Sequence, residues 1–276
     1  MTDWVTVIVT VDADETDEVS GLLWSAGVAG VEECESVDGR VELRAGCEAS
    51  SVDPIRDSLQ DRWPFVVESV EADAGLDDWR EFAQAWRAGS RLVIVPAWLD
   101  DPEWLGASDL VLSIDPGHTF GSGSHETTRM CLAEVEQLVV EGSKVADIGC
   151  GSGVLAIAAV RLGAAFADAI DIDDLCVVET EANADRNGVG TSVRASTRTI
   201  EGLAPREFDL VLANIGAGTL ISLASGLQSL LGVDGVLVVS GVLDDQADSV
   251  IEAFGAVGLE LRRTLADGQW RTLRFA

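Results

Sequence analysis

The spacing of apolar residues changes period several times along this chain, and each change marks an element. Residues 4–11 alternate apolar and polar as a half-buried strand does, and 16–26 put Leu22, Leu23 and Ala26 on one side of a helix. Residues 28–33 and 40–44 read as short strands, 52–60 as a second helix and 65–70 as a last strand. This β-α-β-β-α-β order predicts a small α+β domain over residues 1–72, a ferredoxin-like split sandwich that carries no chemistry by itself. Residues 73–109 read as a linker. Within it, 77–87 predicts a helix stopped by Gly89, with Trp79, Phe82 and Trp86 forming a packing stripe at i, i+3 and i+7, and 92–96 predicts an extended stretch.

From residue 110 to residue 276 the periods alternate. Strands at 111–114, 144–148, 169–172, 210–213 and 236–240 are separated by helices near 127–139, 154–162, 174–187, 217–230 and 244–255. The last strands, 259–264 and 270–275, flank Asp267-Gly268, a turn that favours an antiparallel hairpin. Seven strands in this order predict a Rossmann-like α/β domain whose mostly parallel sheet ends in a hairpin at its edge.

At 276 residues the chain can form one large domain or two ordinary ones, and either can bury a substantial core. No apolar run approaches the ~20 residues of a membrane helix, and Met1-Thr2-Asp3-Trp4 lacks a basic, then apolar, signal pattern, so a cytoplasmic protein is expected; a monomer is expected as well. Cys34, Cys47, Cys131, Cys150 and Cys176 are odd in number and form no C-x-x-C pair, which points to reduced thiols rather than a disulfide or metal framework. Formal net charge is −30, and Lys144 is the only lysine. Such a field disfavours nucleic acid and favours a basic protein partner. Residues 1–75 alone carry a net charge of −14. Two readings of this acidity stay open: a surface that attracts a basic substrate, or a habitat-wide bias that replaces lysine everywhere.

The candidate chemistry sits in Asp147-Ile148-Gly149-Cys150-Gly151-Ser152-Gly153, between a buried strand and an apolar helix. Glycines there let the backbone approach a ligand without a Cβ in the way. Asp171 ends the next strand, 22 residues after Gly149, where a carboxylate accepts both ribose hydroxyls. A dinucleotide fingerprint needs G-x-G-x-x-G to seat a pyrophosphate. Here the third glycine comes one place early, and an acid stands two residues ahead of the first. That D-x-G-x-G-x-G form resembles the first motif of class I S-adenosylmethionine methyltransferases.

Residues 115–128 (DPGHTFGSGSHETT) form a glycine-rich loop that opens a helix. Thr127 and Thr128 can bond free backbone amides or a ligand there. Both histidines of the chain lie in this loop, but no third ligand of suitable spacing accompanies them, so no metal is expected. His125 is a candidate general base or a helix-start residue. Cys150 is a candidate thiol or simply a small loop residue. Asn214, at the carboxyl end of the fourth core strand, either faces the ligand crevice or caps the next helix.

Taken together, 115–128, DIGCGSGVLAIAA (147–159), DIDDLCVVETEANADRNGV (171–189), ANIGAGTL (213–220), SGVLDDQ (240–246) and the linker DDWREFAQAWRAGSRLVIVPAW (77–98) resemble the ribosomal protein L-eleven methyltransferase family. The resemblance spans nearly the whole chain. It implies a class I domain over 110–276 that transfers methyl groups from S-adenosylmethionine to lysine or N-terminal amines, and a small amino-terminal domain that recognises the ribosomal protein. It places cofactor contacts on Thr128, Gly149, Gly151, Asp171 and Asn214, with Asn214 also orienting the acceptor amine. Where the family usually has Asn-Ile-Leu-Ala-Gly-Pro-Leu, this chain has Asn214-Ile215-Gly216-Ala217-Gly218-Thr219-Leu220, a departure beside the methyl-transfer point. A methyltransferase of the same fold acting on another protein or a small molecule is the alternative.

Overall fold

Valine at every second position decides how the amino-terminal unit folds. The structure, a computed structural model, describes residues 4–12, 15–26, 28, 30–35, 40–59, 62–69, 83–117 and 123–276. Its contacts divide the chain into two units, Met1–Phe82 and Ala83–Ala276. In the first, strand β1 (Trp4–Val11) turns Val5, Val7, Val9 and Val11 inward. They pack on Val19 and Leu23 of helix α1 (Thr16–Ser25) and on Ile55 and Leu59 of α2 (Val52–Leu59). Strands β2 (Gly30–Glu35), β3 (Val41–Glu48) and β4 (Phe65–Ser69) complete a sheet of order β2-β3-β1-β4, all pairs antiparallel. Order and connectivity are those of the ferredoxin-like sandwich, with both helices on one face.

The second unit holds a seven-stranded sheet ordered β10-β9-β8-β11-β12-β14-β13. Strands β8 (Lys144–Ile148), β9 (Phe166–Ile170), β10 (Val193–Ser196), β11 (Phe208–Asn214) and β12 (Leu231–Leu243) run parallel. Strands β13 (Leu261–Asp267) and β14 (Trp270–Phe275) form the antiparallel terminal hairpin around Gly268, whose φ is 55°. One face is covered by α3 (Glu126–Leu138), α4 (Val154–Arg161) and α5 (Asp174–Arg186), the other by α6 (Ala217–Leu230) and α7 (Ala247–Ala256), each over its own apolar cluster. The parallel strands are apolar on both sides because both faces are buried.

Three expectations need correction. The strand at Leu110–Ile114 (β7) is not in the main sheet. It pairs with β6 (Leu92–Pro96), which pairs with β5 (Trp86–Ala88), as a separate three-stranded sheet in the same unit. Its other edge is closed by a side chain: Asn187 accepts from the Ser113 N–H at 2.9 Å and donates to the Ser113 carbonyl at 2.7 Å. The seventh strand is instead the four-residue β10.

Second, Trp86 and Arg87, expected in a helix, lie in β5. Gly89 at φ 73° turns this strand back onto β6, and Arg87 makes a bidentate pair with Asp109 at 2.6 Å for each bond. Residues 77–82, with Trp79 and Phe82, lie outside the described residues. Third, residues 83–109, read as linker, share the core of the second unit: Ala88, Leu92 and Ile94 are buried with Leu155 and Ile157.

Charges fasten the frame at its margins. Glu134 of α3, 1 % exposed, lies 3.1 Å from Arg263 and 3.2 Å from Arg274, which face each other across the hairpin. Arg129, in the first turn of α3, reaches Asp267 at 2.9 Å. Lys144, at the amino end of β8, faces Glu207 at 3.4 Å.

Candidate active site

Strand β8 ends at Ile148, and the chain turns at once through Gly149, Gly151 and Gly153, with φ values of 74°, 54° and 78°. L side chains rarely adopt these angles. Space also requires glycine: a Cβ on Gly149 would collide with the Ile215 side chain, and one on Gly153 would sit 2.6 Å from Thr180 Cγ2. Helix α4 then starts with no side-chain cap and buries Val154 to Ala159. Beneath the loop lies Asp147, 1 % exposed. Its Oδ2 accepts from the Ala156 N–H at 3.2 Å, and its Oδ1 has no hydrogen-bond partner among the described residues. Burial pushes this carboxyl up to about 7, the Ala156 bond pulls it down, and the Asp171 charge raises it again.

Strand β9 stops at Ile170, short of the expected 172, because the next residues fold into a turn. The Asp173 side chain accepts from the Leu175 N–H and caps α5. Asp171 thus stands just past the strand end, accepting from Gly151 N–H at 3.0 Å and from Asp173 N–H at 3.1 Å. The glycine loop and the acid are thus joined by the protein's own hydrogen bonds. Ile172 beside it is 99 % exposed, an apolar side chain held out in the open.

Asn214 ends β11. Its Nδ2 donates to Thr128 Oγ1 at 3.3 Å, joining the fourth strand to the first turn of α3. Helix α6 takes Gly216 as its N-cap with no side-chain bond, so Asn214 is not spent on capping it. Thr128 is buried, and so is Thr127, whose Oγ1 lies 2.8 Å from His125 Nδ1. His125 caps α3, its Nδ1 accepting from Thr127 N–H, and its ring meets Trp270 edge to face at 5.1 Å. Of its two readings, this is the helix-start one. Residues 118–122, with His118, lie outside the described residues. Among the described residues, no three His, Cys, Asp or Glu side chains gather in a way that could hold a metal.

These groups surround one cavity of about 600 Å³ at the carboxyl ends of β8, β9 and β11, where open α/β sheets bind ligands. Thr128, Gly149, Gly151, Asp171 and Asn214 all line it. Ile172, Thr199, Ile200 and Glu201 complete the wall on the Asp171 side, Ile215, Thr219 and Leu223 on the Asn214 side. Neither Ile200 nor Glu201 is signalled by pattern or spacing, since both follow the missed strand β10. Ile172 was readable in principle, as an isoleucine set between two acids. Cys150 and Cys176 also line the cavity, but burial raises both thiols well above their usual range, Cys176 to about 12. Neither is a ready nucleophile.

A nucleoside sulfonium fits this cavity. Its volume is that of a small-molecule site, a carboxylate lies at one wall with an exposed apolar side chain beside it, and the glycine turn itself carries no basic residue, while Arg198 lines the cavity elsewhere.

The family model for ribosomal protein L11 methyltransferase (PrmA) matches residues 48–276. A protein named ribosomal protein L11 methyltransferase from Pelobacter propionicus is 36% identical over 271 residues, covering 94% of this chain and 84% of that protein. One of the same name from Chloroflexus aurantiacus is 31% identical, covering 99% of this chain and 97% of that protein. Among solved structures, a ribosomal protein L11 methylase from Lactobacillus delbrueckii subsp. bulgaricus superposes with a TM-score of 0.65 at 31% identity. It covers 71% of this chain and 98% of its own.

Proposed function

The chain belongs to the ribosomal protein L11 methyltransferase family, and from that premise we propose that it methylates amino groups of the large-subunit ribosomal protein L11, lysine side chains among them. It is a class I methyltransferase, and its cofactor is S-adenosylmethionine. One observation supports the reading most: a single cavity lined together by Gly149, Gly151, Asp171, Asn214 and Thr128. In this proposal Asp171 grips the ribose, Gly149 and Gly151 admit the methionine portion close to the backbone, and Ile172 with Ile200 flank the adenine. Asn214, steadied by Thr128, orients the acceptor amine.

When bound, S-adenosylmethionine supplies a methyl carbon on a sulfonium for in-line attack by a nitrogen lone pair. The chain's own residues have three tasks. They hold the amine on the line of attack, which can supply on the order of 7–11 kcal/mol. They exclude water with the apolar wall of Ile215 and Leu223. They let the ammonium, near ~10.4 when free, lose its proton to solvent in a partly dry site, so no dedicated base is required. The acidic amino-terminal unit, in this reading, receives the basic ribosomal protein in the cytoplasm.

A different acceptor has one observation in its favour. A Cβ on Gly216, where the family usually has leucine, would meet nothing within 4 Å, so the ground beside Asn214 is more open than a side chain there would leave it. Incubating the purified protein with labelled S-adenosylmethionine and total ribosomal proteins from its own source tests both readings. Label on L11 amines is expected. Binding without transfer to L11, but with transfer to another acceptor, would overturn the substrate while keeping the enzyme.

A further inference from the structure

Helix α5 and its C-cap carry a buried polar stripe, and its members Thr180 and Asn183 meet the glycine loop. Cys176, Thr180, Asn183 and Asn187 recur at i, i+4, i+7 and i+11, one face of a helix, and all four are buried. Thr180 Oγ1 donates to the Gly151 carbonyl at 3.0 Å. Asn183, one turn on and 0 % exposed, donates from Nδ2 to the Ser152 carbonyl at 3.0 Å and to the Asp115 carbonyl at 2.8 Å. Its Oδ1 accepts from the Asp115 N–H at 2.9 Å and from Arg186.

One amide therefore holds two segments that are 37 positions apart in sequence. Ser152 belongs to the glycine loop, and Asp115 directly follows strand β7. Asp115 is also braced locally, its Oδ1 accepting from the Gly117 N–H at 3.0 Å. The bonds run without a break from Asp171 to Gly151, along the loop to Ser152, and through Asn183 to Asp115.

We propose that Asn183 is a positioning residue for methyl transfer: through its paired bonds to Ser152 and Asp115 it fixes the glycine loop, and with it the place of the cofactor, against the end of β7. The inference rests on the reading of the cavity given above. A buried amide with every donor and acceptor engaged tolerates little change, since each lost partner leaves a polar group unpaired.

The test uses the full chain and two matched substitutions. Asn183→Asp keeps an oxygen for the Asp115 N–H and Arg186 but turns a second oxygen onto two carbonyls. Asn187→Asp makes the same change one turn later, where the partners are Ser113 and the Asn183 carbonyl and the glycine loop is not touched. S-adenosylmethionine affinity is read by calorimetry, and kcat by transfer to the acceptor, both well below each variant's melting temperature. Asn183→Asp is expected to lose at least tenfold in kcat and about fivefold in cofactor affinity. Asn187→Asp is expected to melt lower yet keep both within twofold. If Asn183→Asp does not fold, Asn183→Ser carries the same expectation. Equal kinetic effects from the substitutions at 183 and 187, or none from either, would overturn the proposal. A wild-type chain that binds no S-adenosylmethionine would overturn the reading of the cavity instead.

Discussion

In the proposed mechanism single side chains at strand ends carry most of the chemistry, and each makes a separate demand. Asp171→Ala removes the carboxylate proposed for the ribose. Two charged hydrogen bonds at about 1.5–3 kcal/mol each predict a loss of roughly 100-fold or more in S-adenosylmethionine affinity, read by calorimetry. Asn214→Ala should leave that affinity within about threefold and cut kcat about 100-fold, the usual cost of a misplaced reactant. Asp147 answers to pH rather than to ligand. Its folded value of about 7 lies above the unfolded one, so its contribution to stability is complete below about pH 4 and is lost as pH rises through 7. Wild-type stability should therefore fall across pH 4–7 by up to about 1.4 kcal/mol per unit, and Asp147→Asn should flatten that slope in denaturant titrations.

Elements show which parts of this molecule could be read in advance. Helices α3 to α6 and strands β8, β11 and β14 fall within a few residues of their expected places, because their periods are long and their ends are marked by glycine or acid. What failed was pairing. Residues 110–114 look like any strand of a parallel sheet, and only the amide of Asn187 and the edge of β6 assign them to another sheet. Residues 193–196 are too short to show a period. Trp86 has helical spacing from Trp79 and Phe82, but the Arg87–Asp109 pair that draws it into a strand spans 22 positions. Sites followed the same rule. Gly149, Asp171 and Asn214 were legible as residue types at strand ends, whereas Asn183 was not, because its partners are backbone atoms. At this scale the test is the α3–hairpin clamp. Glu134→Ala leaves Arg263 and Arg274 facing each other over an emptied site. A loss on the order of 2–4 kcal/mol is expected in chemical denaturation, below the largest buried-pair values because both arginines are partly exposed.

Considered whole, the molecule is an acidic object with two compact units and a net charge of −30. Like charges repel in the compact state, and salt shortens their reach from about 10 Å at 0.1 M to about 3 Å at 1 M. The melting temperature should accordingly rise with potassium chloride, by several degrees if screening returns even ~2 kcal/mol, while capture of a basic protein should weaken over the same range. Separate titrations of the two effects would divide the charge between substrate and habitat.

The lone lysine adds something of its own. Lys144 lies at the amino end of β8, the opposite end of that strand from the glycine turn, and is held beside Glu207. A catalyst that alkylates primary amines, built with a single side-chain amine facing away from its reactive mouth, offers itself almost nothing to consume. Radiolabel in a reaction mixture should then leave the enzyme band dark, and whatever does glow is a true acceptor.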